Sequence, residues 1–261
     1  MGEVPMSEPE GWAGIGPGDR GTPAAAWARW LADRGPDPVF TIPGGCRRLV
    51  VVAPHPDDEI LGVGVTASRA AAAGVDVTVV AVTDGDASHP DSPTLTPQKL
   101  AGLRVEESRR ACTQLGLPEP VRLGLPDGRV REHPALLTDA VAGIVGDSGP
   151  STLVLSTWRG DGHPDHEAAG HAAADACAAT GARLVEYPVW AWHWAAPGDP
   201  RVPWTRRRRV VLTDHELAAK RAAVSEFVTQ VAPLSDRRGD EAILPDWVLD
   251  RLVTREETVF W

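Results

Sequence analysis

The chain has 261 residues, of which 43% are hydrophobic and 24% charged, and this length and balance suit one large domain with a full hydrophobic core. Its formal net charge of −10 argues against nucleic acid or an anionic membrane as a partner, because both require a basic surface. No run of the sequence reaches the roughly 18 apolar residues of a membrane helix, so we expect no membrane span.

Residues 1–22 are acidic and rich in Gly and Pro, which is typical of a flexible lead-in. They contain neither a basic leader nor an apolar stretch, so we expect a cytoplasmic protein without a secretory signal. Cys46, Cys112 and Cys177 are widely spaced and odd in number, which predicts neither a disulfide framework nor a cysteine zinc site. We expect a single domain over residues 23–261 and leave the oligomeric state open, with a homo-oligomer as one alternative.

Strands and helices alternate along the rest of the chain. Short apolar runs, most of them rich in Val, predict strands at residues 49–53, 75–82, 121–125, 152–157 and 183–190, with an edge strand at 210–212. Caps, first-turn prolines and closing glycines predict helices at residues 24–34 (capped by Thr22), 60–74, 97–116, 134–145, 166–180, 213–227 and from 245. The alternation predicts an α/β chain with a doubly wound, mainly parallel sheet.

Three further expectations concern polar segments. The loop at residues 87–96 follows a strand end and is expected to form a flap near a site there, with His89 at the surface. The basic run at residues 206–209 is expected to be a solvated lead-in to the edge strand. Arg104 and Glu107 lie three apart on a predicted helix, so we expect them to pair.

Two His-Pro-Asp sequences follow two of the predicted core strands. Residues 55–59 read HPDDE after the strand at 49–53, and residues 163–166 read HPDH after the strand at 152–157. Ligands of open α/β sheets bind at the carboxyl ends of the strands. One copy alone is more often a turn in which Asp caps a helix, but two copies at strand ends indicate a metal-hydrolase site.

The residue types in the two sequences suit a catalytic metal. Such a site needs about three nitrogen or oxygen ligands on rigid element ends and one open position. His55 and Asp58 are three apart across a strand-to-helix turn, and His166 arrives from the second turn, so these three are the expected ligands. Imidazole and carboxylate without thiolate favour Zn²⁺, with Fe²⁺ and Mn²⁺ as alternatives.

The remaining polar residues of the two turns have expected catalytic roles. Asp57, beside the cation, is the candidate general base for a water molecule. His163 is the candidate for stabilising an oxyanion and protonating a departing amine, with Asp165 orienting its ring. Glu59 is expected to support the turn rather than to act on a substrate.

The same residues carry a family resemblance. APHPDDEILG at residues 53–62 and GHPDHEAAG at 162–170, separated by TDGD, the helix RVEESRRACTQLG and LPDG, resemble the PIG-L/LmbE-like zinc-dependent N-acetylglucosaminyl deacetylases. The resemblance covers about residues 47–190. It implies a Rossmann-like three-layer fold with helices on both faces of the sheet. It also implies hydrolysis of the acetamide on an N-acetylglucosamine-type sugar.

The resemblance also implies roles for single residues. It suggests the zinc ligands His55, Asp58 and His166, the base Asp57, the oxyanion-stabilising acid His163, and Arg104 and Asp127 as contacts to sugar hydroxyls. Some mycothiol-branch members carry a Tyr two residues before the first His of the second motif, where this chain has Asp161. Arg159 and Asp161 are therefore candidate substrate contacts instead. The Trp-rich loop at residues 190–194 either stacks on a substrate or packs in the core.

The sequence thus predicts a metal-dependent deacetylase that acts on small N-acetylated glycosides or secondary metabolites. An amidase acting on a mycothiol-type thiol conjugate is an alternative. A non-catalytic sugar- or metal-binding module is another, and it would bind zinc without releasing acetate. The presence of both Asp57 and His163 argues against that last reading.

Overall fold

The structure is a computed structural model that describes residues 19–147 and 149–261. The strands in these residues are β1 Arg48–Ala53, β2 Asp76–Thr83, β3 Val121–Leu125, β4 Thr152–Thr157, β5 Arg183–Tyr187, β6 Arg207–Val211 and β7 Glu256–Phe260. The helices are α1 Ala24–Asp33, α2 Asp58–Ala72, α3 Pro97–Gln114, α4 Pro134–Val145, α5 Pro164–Thr180, α6 Ala191–Trp194, α7 Asp214–Val224, α8 Val228–Val231 and α9 Asp246–Leu252.

One sheet organises these elements, with the strand order β3-β2-β1-β4-β5-β7-β6. β1 to β5 pair in parallel, whereas β7 lies antiparallel to β5 and β6. The two faces of the sheet pack into two separate hydrophobic clusters, one with α2 and α3 and the other with α4 and α5. The predicted three-layer α/β fold is therefore confirmed. The strand order reverses its direction between β1 and β4, which is where open α/β sheets bind ligands.

Several predicted boundaries coincide with the observed ones. β3, α4 and β4 span the residues that the sequence predicts. α3 begins under the predicted cap, because the Thr96 side chain accepts a hydrogen bond from the Lys99 N–H at 3.4 Å. α5 begins two residues earlier than predicted, since the His163 side chain accepts from the Asp165 N–H and so caps the helix. Thr22 does not cap α1, because its hydroxyl donates instead to the Ala195 carbonyl at 2.7 Å.

The expectations for the C-terminal part were partly wrong. β5 ends at Tyr187 instead of residue 190, and β7 was not predicted. The basic run is also not a solvated lead-in, because most of it belongs to β6. Arg207 is buried, donates to Glu256 of β7 at 3.1 Å and pairs with Asp37. These arginines therefore hold the edge of the sheet together.

α2 contains a break that an ion pair from two other elements fills. Val63 has φ −141° and ψ 20°, which interrupts the helical backbone. Lys220 of α7 donates to the Leu61 carbonyl at 2.7 Å, and Glu257 of β7 accepts from the Val65 N–H at 2.8 Å. Lys220 and Glu257 pair with each other at 2.9 Å, and both are buried. The pair supplies partners to backbone groups at the break, and so fixes the first turn of α2 against the rest of the helix.

The prediction of a lead-in over residues 1–22 falls mainly on residues 1–18, which lie outside the described residues. The single domain over residues 23–261 stays a prediction. Among the helices that the structure describes, none is both long enough and apolar enough to cross a membrane.

Candidate metal centre and active site

The two His-Pro-Asp turns lie side by side because β1 and β4 are neighbouring parallel strands. His55 follows the carboxyl end of β1, and Asp58 is the first residue of α2. His166 lies in the first turn of α5, after the carboxyl end of β4. Parallel pairing places both carboxyl ends at the same edge of the sheet, so the topology itself brings the two turns together.

The three expected metal ligands converge. The distance from His55 Nδ1 to Asp58 Oδ2 is 3.3 Å, and that from His166 Nε2 to the same oxygen is 3.2 Å. The two imidazole nitrogens are also 3.2 Å apart. His55 is 9% exposed, Asp58 2% and His166 fully buried. Two nitrogens and one carboxylate oxygen at such mutual distances fit a divalent cation, because each could ligate it at about 2.0–2.2 Å.

The second nitrogen of each imidazole is held by carboxylates. His55 Nε2 lies 3.1 Å from Asp127 Oδ1 and 3.3 Å from Asp165 Oδ2. His166 Nδ1 lies 2.8 Å from Asp161 Oδ2. Carboxylates in this position fix the tautomer and orientation of a ligating imidazole. They leave His55 Nδ1 and His166 Nε2 as the nitrogens that face Asp58.

A second group of residues could also hold a cation. Potential ligand atoms of His55, His163 and Asp165 also lie within 4.8 Å of one another. In this alternative, His55 would hold the cation together with His163 and Asp165 instead of Asp58 and His166. The Asp165 carboxylate, however, already accepts from the backbone N–H groups of Gly128 at 2.7 Å and Val130 at 3.0 Å. We therefore favour the first group.

Opposing effects set the pKa values of the ligand residues. Burial would raise the pKa of Asp58, but the neighbouring His166 and His55 hold it well below its usual range. Burial would lower the pKa of His166, but Asp58 and Asp161 raise it to about 9. In the absence of a cation, the imidazoles thus carry the positive charge that the carboxylates require. A bound metal must displace those protons, so metal binding is expected to strengthen as pH rises.

Asp57 sits in a strained turn beside the ligands. Its φ is 143°, and it is the one non-glycine residue with positive φ among the described residues. The strain persists because its N–H donates to Glu59 Oε2 at 2.9 Å, while Ser108 donates to Glu59 Oε1 at 2.6 Å. Glu59 therefore supports the turn, as the sequence predicts. Such strain is frequent at functional sites, where the surrounding structure holds it.

Arg104 anchors Asp57 rather than Glu107. Its Nη2 donates to Asp57 Oδ2 at 2.8 Å, and its guanidinium also donates to the carbonyls of Pro56 and Gly85. The predicted pair with Glu107 is wrong, because Glu107 instead accepts from the Thr229 N–H and hydroxyl. Burial raises the pKa of Asp57 to about 8, and Arg104 opposes the shift.

His163 lies against both ligand imidazoles, with ring centroids 4.9 Å from His55 and 4.8 Å from His166. Its Nδ1 accepts the Asp165 N–H at 3.2 Å, so the proton of the neutral ring lies on Nε2. Burial and the charges of the other two imidazoles lower the pKa of His163 to about 2. The Asp165 carboxylate contacts His55, so Asp165 meets His163 through its backbone N–H and not through its carboxylate.

The predicted substrate contacts fall into two groups. Arg104 and Asp127 line the cavity above the metal ligands, although both already hold other site residues. Asp161 is fully buried and accepts from the N–H groups of three successive residues, Val189, Trp190 and Ala191. Arg159 donates to Glu186 at 2.8 Å and does not line the cavity. The structure thus contradicts a substrate contact for Asp161 and Arg159, because other protein groups occupy both side chains.

The cavity has a volume of about 800 Å³, and the sequence did not predict much of its lining. Trp190 belongs to it, whereas Trp192 packs against Trp27 with a centroid distance of 5.0 Å. The Trp-rich loop is thus divided between the site and the core. The segment 233–247 supplies one side of the cavity, and the loop 87–91 supplies another. No motif in the sequence marks the first of these segments.

His89 is not the surface residue that we expected. It is 5% exposed, its Nδ1 lies 2.9 Å from Ser88 Oγ, and its Nε2 lies 3.1 Å from the Glu241 carbonyl. The predicted flap loop therefore borders the cavity and is joined there to the segment 233–247. A buried His between two loops suits a structural contact better than a ligand.

Comparison with known proteins gives this site a context. Residues 50–177 match the family model described as GlcNAc-PI de-N-acetylase, PIG-L. The chain is 31% identical to a probable N-acetyl-α-D-glucosaminyl L-malate deacetylase 2 of Bacillus anthracis, over 82% of this chain and 94% of that protein. It is 29% identical to the 1D-myo-inositol 2-acetamido-2-deoxy-α-D-glucopyranoside deacetylase of Thermobifida fusca, over 82% and 79%. A solved deacetylase of the teicoplanin biosynthesis pathway shares the fold, with a TM-score of 0.63 and 22% identity over 82% of this chain and 96% of that one.

Proposed function

The chain belongs to the GlcNAc-PI de-N-acetylase (PIG-L) family, and from this premise we propose that it hydrolyses the acetamide of an N-acetylglucosamine-type sugar on a small glycoside. The products are acetate and a free amine. One observation carries the proposal: three potential metal-ligating atoms from two neighbouring strand ends converge next to a buried carboxylate that lines a large cavity.

We assign a divalent cation to His55, Asp58 and His166. Zn²⁺ is the first choice because imidazole and carboxylate ligands suit it, and Fe²⁺ and Mn²⁺ accept the same donors. When bound, such a cation polarises an amide carbonyl and lowers the pKa of water. The carboxylates behind both imidazoles support this assignment, since they orient the two ligating nitrogens before any cation arrives.

Asp57 is the proposed general base. Arg104 holds Asp57 Oδ2, so we assign Oδ1 the task of taking a proton from water. The pKa of about 8 in the metal-free protein would fall beside a cation, which keeps the carboxylate ionised at neutral pH. The same carboxyl group is then close enough to the reaction to return the proton to the departing amine.

His163 is the proposed donor to the oxyanion. Because its Nδ1 accepts a backbone N–H, the neutral ring carries its proton on Nε2 and can donate a hydrogen bond without first being protonated. Oxyanion stabilisation and protonation of the departing amine, both predicted for His163 from the sequence, are separated in this assignment. His163 stabilises negative charge, and Asp57 moves the proton.

Two alternatives remain distinct from this proposal. An amidase of thiol conjugates would use the same catalytic residues on another amide. A non-catalytic module would have no use for the strained Asp57 turn or for its buried pair with Arg104, both of which cost stability. The second alternative therefore explains less of the structure.

The test is the release of acetate by zinc-loaded protein from N-acetylglucosamine, its methyl glycoside and diacetylchitobiose, with an acetylated cysteinyl glucosamine as the thiol-conjugate probe. We expect acetate from the glycosides, loss of activity with a chelator, and recovery on adding Zn²⁺. Release of N-acetylcysteine and the free amino sugar from the thiol conjugate, without acetate from the glycosides, would favour the amidase. No acetate from any probe, with zinc bound, would contradict the proposed function.

A further inference from the structure

The active-site cavity extends beyond the catalytic residues to a surface that we call the distal wall. It consists of side chains from the loop 87–91 and the segment 233–247, chiefly Pro90, Asp91, Glu241, Ile243, Pro245 and Trp247. The volume of about 800 Å³ lies in the upper part of the range of small-molecule pockets. Pockets of that size enclose drug-sized ligands, which are larger than one N-acetylated sugar. The cavity therefore has room for the aglycone of a glycoside.

Outside the metal site with its imidazoles, the charged side chains around the cavity are acidic, apart from a single guanidinium. The acidic side chains that line it are Asp57, Asp58, Asp91, Asp127 and Glu241, and the arginine is Arg104. Arg104 is 2% exposed and already binds Asp57. Within the described lining, the distal wall thus offers acidic and apolar side chains to an aglycone, and no lysine or arginine.

The guanidinium groups of four arginines belong to the wall's segments or lie near them without lining the cavity, two of them being on Arg237 and Arg238, which are exposed residues of the segment 233–247. The other two, those of Arg20 and Arg251, lie 5.8 Å and 5.4 Å from the ring centroid of Trp247. Arg251 donates to the backbone carbonyls of Arg20 and Thr22, and its Nη2 lies 3.1 Å from His193 Nδ1. Its side chain lines a different cavity, next to α1. These groups therefore do not supply the distal wall with a counter-ion for an anionic aglycone.

The two segments of the wall are joined firmly. Asp240 is fully buried and accepts hydrogen bonds from the hydroxyls of Ser92 and Thr94, which follow the loop 87–91, and of Ser235 in the segment 233–247. Gly239 approaches the same loop so closely that an added Cβ would lie 2.4 Å from the Asp91 carbonyl oxygen. The wall is thus a formed surface rather than a pair of loose loops, so its chemistry can select a ligand.

We infer that the distal wall binds an uncharged aromatic or apolar aglycone and discriminates against an anionic one. This inference rests on the proposed function, because it takes the sugar to lie at the metal centre. Trp247, Ile243 and Pro245 provide the apolar contact surface. Asp91 and Glu241 repel a carboxylate or phosphate at the same place. A malate or phosphate conjugate would therefore be a poor substrate.

The experiment compares the methyl, phenyl and 4-carboxyphenyl glycosides of N-acetylglucosamine, since the last two differ in charge but little in shape. We expect kcat/KM for the phenyl glycoside to exceed that of the carboxyphenyl glycoside by about tenfold or more, because like charges across an interface are costly. Dissociation constants for the same glycosides are measured with the Asp57→Asn variant, which should bind without turnover. They are expected to follow the same order.

Two variants connect the effect to the wall. Trp247→Ala should remove the advantage in kcat/KM of the phenyl over the methyl glycoside. Trp261→Ala, at another partly exposed tryptophan, is the matched control and should change kcat/KM for neither glycoside. Glu241→Lys changes an exposed side chain that accepts a hydrogen bond from the Gly239 N–H, and it should narrow the gap in kcat/KM between the phenyl and carboxyphenyl glycosides.

The outcomes separate the inference from the proposed function. Acetate from all three glycosides at equal kcat/KM would overturn the inference and leave the deacetylase intact. If none of the glycosides releases acetate, the proposed deacetylase function would be overturned. The dissociation constants would still show whether the wall prefers an uncharged aglycone to an anionic one. Equal dissociation constants for the phenyl and carboxyphenyl glycosides would overturn the inference in either case.

Discussion

The two ends of the cavity are lined by different kinds of side chain. The catalytic end consists of buried charged groups, each held by other polar groups, at the ends of β1 and β4. The distal wall consists mainly of apolar side chains and exposed acidic ones on two segments that join through Asp240. The first end suits a fixed reaction and the second a choice of substrate. Chemistry and specificity are therefore carried by separate parts of this fold.

The largest effect is expected at the catalytic end. Asp57→Asn removes the proposed base but keeps its size, so kcat should fall by about 10²–10⁴-fold while zinc stays bound. Kinetics with the methyl glycoside and metal analysis check both parts. Asp139→Asn, at an exposed position of α4, is the control and should leave kcat unchanged. A rate for Asp57→Asn near that of the control would remove Asp57 from the mechanism.

A large loss of stability is expected at the break in α2. Lys220→Met leaves Glu257 buried without its cation, which should lower the free energy of unfolding by roughly 3–5 kcal/mol. Urea denaturation measures it, with Arg69→Met at the more exposed Arg69–Glu216 pair as a control of much smaller effect. Adding Glu257→Gln to Lys220→Met should restore part of the stability. If Lys220→Met is as stable as the control, the pair does not hold the break.

Lys220→Met also tests whether the catalytic end and the distal wall act independently. The break lies just after the helix turn that carries Asp58, whereas the distal wall belongs to other segments. Folded Lys220→Met should therefore lose kcat and keep the ratio of kcat/KM between the phenyl and methyl glycosides. A change in that ratio would show that the two ends are not independent.

A smaller effect, on zinc affinity, is expected from the carboxylate that contacts the ligand His166. Asp161→Asn replaces the carboxylate that faces His166 Nδ1, so zinc affinity should fall by about 10–100-fold. Competition with a chromogenic chelator measures the affinity. Asp175→Asn, at an exposed position of the same helix α5, should leave it unchanged. An unaltered affinity in Asp161→Asn would mean that Asp161 serves only the backbone of residues 189–191.

The smallest effect is expected where the two segments of the wall join. Asp240→Asn weakens hydrogen bonds from three hydroxyls, so KM for the phenyl glycoside should rise by roughly two- to tenfold. Zinc content and kcat should not change. Steady-state kinetics at constant zinc separates the two constants. A fall in kcat with an unchanged KM would show that the join supports the catalytic end instead.

The sequence predicts the catalytic end because local patterns define it. Each His-Pro-Asp follows a Val- or Leu-rich strand within six residues of its end. Parallel pairing brings the two strand ends together, so the sequence already predicts that His55, Asp58 and His166 converge. Asp161 was read as a substrate contact since nothing in the sequence shows that three backbone N–H groups surround its carboxylate. The distal wall has no motif, because its side chains are ordinary apolar ones.

The errors in predicting the strands β6 and β7 from the sequence have one physical cause. The strand β7 begins with Glu256 and Glu257, and the strand β6 begins with three arginines. The sequence therefore predicts no strand for β7 and only the end of β6, as the edge strand at residues 210–212. Their charges become tolerable only after the strands pair, when Arg207 and Arg209 meet Glu256 and Lys220 meets Glu257. Such compensation between distant residues is a tertiary effect that local patterns do not contain.

The central claim is that one cation is held by His55 Nδ1, Asp58 Oδ2 and His166 Nε2. The most direct measurement is the anomalous diffraction of zinc-soaked crystals at the zinc absorption edge. We expect one strong anomalous peak at about 2.0–2.2 Å from each of these three atoms. A peak between His55 Nε2, His163 and Asp165, or none near His166, would contradict it.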